Sequence, residues 1–243
     1  MSGHSKWHNI QKTKGAQDAK KAKIFSKIAR EIMVAVKEGG GDPNSNSRLA
    51  AVITKAKAAN MPSDNIKRTI EKAIGSGDSS NFENITYEGY GPGGVAVIVE
   101  AMTDNRNRTA SDMRHYFDKY GGKMGTTGCV SWSFDKKGII VIGNEDGNLD
   151  EDTVMMDALE AGATDMEVDE DCFEVYTEPE DFQSVVNALE KAGYSFLSAQ
   201  VEMIPQSYVR LENEDDIKNM QKLLDMLEDN DDVKDVWHNW DNE

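Results

Sequence analysis

Residues 138–205 read GIIVIGNEDGNLDEDTVMMDALEAGATDMEVDEDCFEVYTEPEDFQSVVNALEKAGYSFLSAQVEMIP. Ile139–Ile142 is an apolar run too short for a helix and suited to a strand. Asp150 is an N-cap for a helix that runs to Ala161-Gly162, where glycine closes it. Glu167-Val168 and Cys172–Tyr176 pair as a hairpin. Pro179 opens a second helix ending at Ala192-Gly193, and Ser198–Ile204 is the last strand. The order β-α-β-β-α-β is that of a ferredoxin-like domain, complete within the segment. An internal echo supports it: Ala158-Leu159-Glu160-Ala161-Gly162 and Ala188-Leu189-Glu190-Lys191-Ala192-Gly193 mark the ends of its two helices.

The flanks of this segment look like two halves of one domain. Before it, Val95–Val99 is a strand and Asn107–Tyr120 a helix with Met113, Phe117 and Tyr120 inward, closed by Gly121-Gly122. Val130, Trp132 and Phe134 then alternate with polar neighbours as a second strand. After the segment, Tyr208–Leu211 is a strand, Ile217, Met220, Leu223, Leu224 and Leu227 mark a helix, and Val233–Trp240 is a final strand. The N-terminal region has a helical period instead. Ile24, Phe25, Ile28, Ala29, Ile32, Met33 and Val36 form one apolar stripe that stops at Gly39-Gly40-Gly41-Asp42-Pro43. Leu49, Val52, Ile53 and Ala56 form a second stripe. Ser63 caps a third helix carrying Ile66, Ile70, Ala73 and Ile74, and Gly75–Ser80 reads as a linker. The expected class is α+β: an N-terminal three-helix domain (1–80) followed by two ferredoxin-like α/β domains. One of these (138–205) is inserted in the other (81–137 plus 206–243).

Charge is sorted along the same boundaries. Residues 1–80 hold 15 Lys/Arg against 7 Asp/Glu, residues 81–137 balance at 7 and 7, and residues 138–243 hold 5 against 30. The overall net charge of −17 therefore conceals a basic end that suits a polyanion. Lys6, Lys12, Lys14, Lys20, Lys21, Lys23, Lys27 and Arg30 fall within thirty residues, opposed by Asp18 alone. Lys20, Lys23, Lys27 and Arg30 share one helix face, where like charges repel until a polyanion neutralises them. Trp7 could stack on a base. The plainer reading of the same residues is a solvated helix face with Trp7 packed locally. Asp104-Asn105-Arg106-Asn107-Arg108-Thr109 lies where a strand gives way to a helix. Arg106 and Arg108 there could hold a phosphate with the helix amides, or pair with local carboxylates. These residues make up the candidate nucleic-acid-binding set, and no sequence-reading element such as a zinc finger or RNP strand accompanies them.

Other chemistries find little support. Cys129 and Cys172 form no C-x-x-C unit, and His4, His8, His115 and His238 show no triad or metal spacing. Gly91-Pro92-Gly93-Gly94 lacks the Lys-Ser/Thr of a phosphate loop and reads as a turn. Gly121–Gly128 reads as a plain connection or a partner-contacting loop, and the acidic runs at 212–216 and 228–232 as a solubilising surface or, less simply, as groups that bind cations or mimic nucleic acid. No apolar run reaches the roughly 18–20 residues of a membrane span, and the N-terminus has no secretory core. The expectation is a cytoplasmic, non-enzymatic protein with no cofactor, metal, membrane or small-molecule substrate, whose partner is nucleic acid.

Several blocks carry a family resemblance: Gly3-His4-Ser5-Lys6-Trp7, Asp18–Phe25, Gly39–Pro43, Ala59-Asn60-Met61-Pro62, Tyr87–Gly94 and Asp104–Thr109. In this order they resemble the YebC/PmpR family over almost the whole chain. The resemblance implies a helical domain followed by two α/β domains, one inserted in the other, and no catalytic residues. It also implies one of two roles: a bacterial DNA-binding transcriptional regulator, or a ribosome-associated translation factor that contacts rRNA and relieves stalling. The family's mitochondrial member activates translation of a cytochrome oxidase subunit.

Overall fold

The computed structural model describes residues 17–75, 82–169 and 171–241, with side chains from Lys21 onward. The chain divides into two compact units, Met1–Gly77 with Lys136–Glu202 and Asp78–Asp135 with Met203–Glu243. Of the linker expected across 75–80, Gly75 ends the third helix and the rest lies outside the described residues, as do Lys6, Trp7, Lys12 and Lys14.

The first unit opens with helices α1 (Gln17–Gly39), α2 (Ser47–Ala58) and α3 (Ser63–Gly75). Ile28, Ile32, Ala35 and Val36 of α1 bury against Leu49, Val52, Ala56, Met61 and Ile66. Ile24, expected in that stripe, is 46% exposed. The break after α1 has a steric cause at each glycine. Gly40 adopts φ +84, the left-handed region that closes helices. A Cβ on Gly39 would lie 2.7 Å from the Asn46 side chain, and one on Gly41 would collide with Ile74. Asn46 is the N-cap of α2, accepting from Leu49 N at 3.0 Å, while its amide donates to the carbonyls of Ala35 and Gly40 at 2.8 Å each. One buried side chain thus joins the end of α1 to the start of α2.

Asn60 (φ 59) ends α2 in the left-handed conformation that Asn tolerates, and Met61 N donates back to Ala56 O at 2.9 Å. That bond turns Met61 into the core. Pro62, not Ser63, supplies the carbonyl that starts α3, accepting from Asn65 N and Ile66 N.

The inserted segment is β4 (Phe134–Gly143), α5 (Glu151–Ala161), β5 (Asp165–Val168), β6 (Cys172–Thr177), α6 (Phe182–Ala192) and β7 (Phe196–Pro205). Its sheet order is β5-β6-β4-β7, with Ile140 opposite Val175 in the antiparallel β4/β6 pair. Asp150 caps α5, accepting from Thr153 N at 3.0 Å. Gly162 (φ +103) and Gly193 (φ +98) end α5 and α6 with the same device, in which Ala163 N returns to Ala158 O and Tyr194 N to Leu189 O. The repeated Ala-Leu-Glu…Gly motif is therefore two copies of one helix terminator. Pro179 falls in a turn, and α6 begins three residues later. Ala51 of α2 packs against this segment's core, and Lys57 Nζ lies 3.0 Å from Glu190 Oε1.

The second unit holds β1 (Glu83–Tyr90), β2 (Ala96–Thr103), α4 (Arg106–Lys119), β3 (Lys123–Met124), β8 (Val209–Arg210), α7 (Glu214–Asp229), β9 (Val233–His238) and β10 (Trp240–Asp241). The main sheet runs β3-β1-β2-β9, and β8 pairs in parallel with β10. Tyr87, Val97, Val99, Met113, Phe117, Met220, Leu223 and Leu227 fill the core between sheet and helices. Two expectations change here. Strand β1 forms a full hairpin with β2, so the first half of the unit starts β-β-α. Val130, Trp132 and Phe134 are not a strand: Ser131–Ser133 is a 3-10 turn, and only Phe134 enters β4. The amides of Val130 and Ser131 are taken by a carboxylate rather than a sheet neighbour.

Candidate nucleic-acid interface

The cations of α1 divide by exposure. Lys20 lies on the helix, its side chain outside the described set. Lys21 is exposed, whereas Lys23, Lys27 and Arg30 are half-buried and already engaged with other groups of the protein. On α2, Lys55 Nζ sits 3.1 Å from buried Glu31, and Arg48 pairs with Glu38. Helix α3 supplies three cations outside the set expected from sequence. Lys67, Arg68 and Lys72 are all exposed, while Ile66 and Ile70 of the same helix meet the core. Their signal is legible as an amphipathic period in 63–75, masked by the denser lysine run before it.

Arg106 and Arg108 belong to the second unit. Arg106 lies 3.8 Å from Glu83 and is largely exposed. Arg108 donates to Asp232 at 2.8 Å and Asp104 at 3.0 Å, and its backbone amide donates to the N-cap Asn105 at 3.1 Å. Asp232 also accepts from the buried hydroxyls of Thr109 (2.8 Å) and Thr103 (3.2 Å). Burial works against the Asp232 charge, but the bonds from Arg108 and Thr109 outweigh it and hold its carboxyl below the usual range. Arg108 thus ties the start of α4 to the loop before β9. The structure joins it to two carboxylates, Asp104 within the motif and Asp232 far along the chain.

A second carboxylate organises the glycine-rich loop. Glu88, 3% exposed on β1, accepts backbone N–H bonds from Gly128 (2.7 Å), Val130 (2.9 Å) and Ser131 (2.9 Å). Burial raises its pKa, but those amides more than offset the effect and the net shift is downward. A fan of amides that could hold a phosphate is occupied by the protein's own anion. Among the described residues no group of three or more His, Cys, Asp or Glu is placed to hold a metal ion, and no helix is long and apolar enough to cross a membrane.

Three helices with exposed cations and two four-stranded sheets, one of them braced by the buried carboxylate of Glu88 and by Asp232, define a class of α+β protein with a cationic helical end. The chain belongs to the TACO1/YebC family: residues 5–76 match the TACO1/YebC protein N-terminal domain and residues 82–240 the TACO1/YebC second and third domain. A relative from Caldicellulosiruptor saccharolyticus, named "Probable transcriptional regulatory protein", is 59% identical over 100% of both chains. One of the same description from Geobacillus sp. (strain WCH70) is 58% identical, over 99% of this chain and 98% of that one. The crystal structure of a conserved hypothetical protein from Aquifex aeolicus superposes with a TM-score of 0.79 at 44% identity, covering 92% of this chain and 91% of that one.

Proposed function

We propose that the chain is a non-enzymatic regulator of gene expression that binds nucleic acid through residues 1–80, most directly as a DNA-binding transcriptional regulator. The observation that carries this reading is the charge of its helical end, 15 Lys/Arg against 7 Asp/Glu in an otherwise acidic chain. Lys21 on α1 and Lys67, Arg68 and Lys72 on α3 present that charge to solvent. The names of the relatives, "Probable transcriptional regulatory protein", agree with it. Binding rests on phosphate contacts, which position a protein without reading sequence, so affinity depends steeply on salt. In the same proposal residues 1–80, the split segment 81–137 plus 206–243, and the insert 138–205 are three domains, the first of which meets the nucleic acid.

The test is duplex affinity measured against salt for the full chain and for a variant with Lys21, Lys67, Arg68 and Lys72 reversed to Glu. The expected result is weaker binding with a log–log slope flatter by about 0.9 for each phosphate the variant no longer neutralises. An unchanged slope would place the interface elsewhere. Footprinted promoter DNA in cell extracts would support transcription, whereas nuclease-sensitive co-sedimentation with ribosomes would replace it with a role in translation.

A further inference from the structure

The loop between β3 and β4 carries a feature the basic domain does not explain. Trp132 is 71% exposed at the centre of the Ser131–Ser133 turn, yet its position is fixed. Its indole Nε1 donates to Cys129 O at 3.0 Å, and Tyr90, 41% exposed, donates its hydroxyl to the same carbonyl at 3.2 Å. Below them, Val130 and Phe134 bury in a cluster with Ala96, Ile98 and Trp237, and Glu88 holds the intervening amides. Two large aromatic side chains are thus displayed to solvent with their polar ends already satisfied.

The geometry points to a stacking platform for an unpaired nucleobase, an assignment that rests on the nucleic-acid reading above. Trp132 has no donor left to offer a base edge or a peptide carbonyl, so what it presents is its π-face, and base stacking on such a face is sequence-tolerant. The electrostatics suit a polyanion. From Lys119 to Phe134 the chain has no Asp or Glu, in a protein with 44 of them. Glu88, which packs against the loop, is buried and held by amides. Lys123, exposed on β3, sits opposite Tyr90 in the strand register, and Thr126 and Thr127 are exposed nearby. The platform is also preorganised, since the loop is bolted to the core and loses little freedom on binding.

The experiment compares full-length wild type, Trp132→Ala and Trp132→Phe for binding to a single-stranded oligonucleotide and to the duplex of the same sequence. Wild type is expected to bind both. Trp132→Ala should weaken single-strand binding by about 5- to 150-fold, the equivalent of the roughly 1–3 kcal/mol that one stacked base contributes. Duplex affinity and the salt slope should stay unchanged, and Trp132→Phe should retain most of the single-strand affinity. Equal single-strand affinity in wild type and Trp132→Ala would overturn the platform, leaving the proposed function intact as long as the lysine-to-glutamate variant still binds duplex more weakly. Failure of wild type to bind either nucleic acid would overturn both. Conversion of a dimer to a monomer by Trp132→Ala, with oligonucleotide binding untouched, would make the patch a self-contact and also end the assignment.

Discussion

Glu88 shows how one side chain can decide the course of a loop. On paper it is one glutamate among many, indistinguishable from a solvated one. In the fold it is the acceptor for three backbone amides of a distant loop, which makes 131–133 a fixed turn where alternation predicts a strand. Replacing it by Gln removes the charge and leaves an amide facing donors. Glu88→Gln should therefore cost about 2–3 kcal/mol, read by denaturant unfolding. The sign of the pH dependence follows from its lowered pKa. Its stabilisation is fully present above the ordinary glutamate value of 4.5 and is lost as pH falls through the lower folded value. Wild-type stability should thus fall more steeply below about pH 4.5 than that of Glu88→Gln. Equal acid profiles would show the carboxylate to be solvated.

At the scale of elements, most boundaries are legible because they depend on local chemistry. The three N-terminal helices, both helices of the insert, and α4 and α7 follow from apolar spacing and from the residues that cap and close them. Sequence and structure part where partners are distant in the chain. Strand β1 is illegible alone because its sequence, Glu83–Tyr90, is mixed in polarity and has meaning only against β2. The motif around Arg108 leaves two readings open, a phosphate ligand or a partner of nearby carboxylates, because Asp232, more than a hundred residues away, is invisible from it. Asn46 lies between these cases: its capping role is local, and its bonds to Ala35 and Gly40 are tertiary. Asn46→Ala should cost about 2–3 kcal/mol, above the roughly 1 kcal/mol of an ordinary N-cap, because two carbonyls also go without their donor. Unfolding monitored by helical circular dichroism checks it, and a cost of only about 1 kcal/mol would mean those two bonds contribute nothing net.

For the whole molecule, the charge sort and the unit boundaries do not coincide. The basic helices and the acidic insert share a unit, joined through Ala51 on the insert's core and through Lys57 and Glu190. The ion pair is largely exposed and should contribute under about 1 kcal/mol, whereas a charge forced against the core at Ala51 should be felt. Ala51→Asp is expected to destabilise the chain by about 1–3 kcal/mol in denaturant unfolding and Lys57→Ala by less than about 1 kcal/mol. The reverse order would show that charge, not packing, joins these elements. Period, capping residues and the order of β and α segments are enough to define the three helices and the inserted ferredoxin-like segment, because each is set by neighbours within a few turns. The sorting of charge is equally plain, since it is a property of composition. Only the folded chain decides which of those cations face solvent, what Arg108 holds, and how a Trp expected within a strand comes to stand exposed on a fixed loop. Each of those depends on groups brought together across long sequence separations, and burial and pairing exist only once they meet.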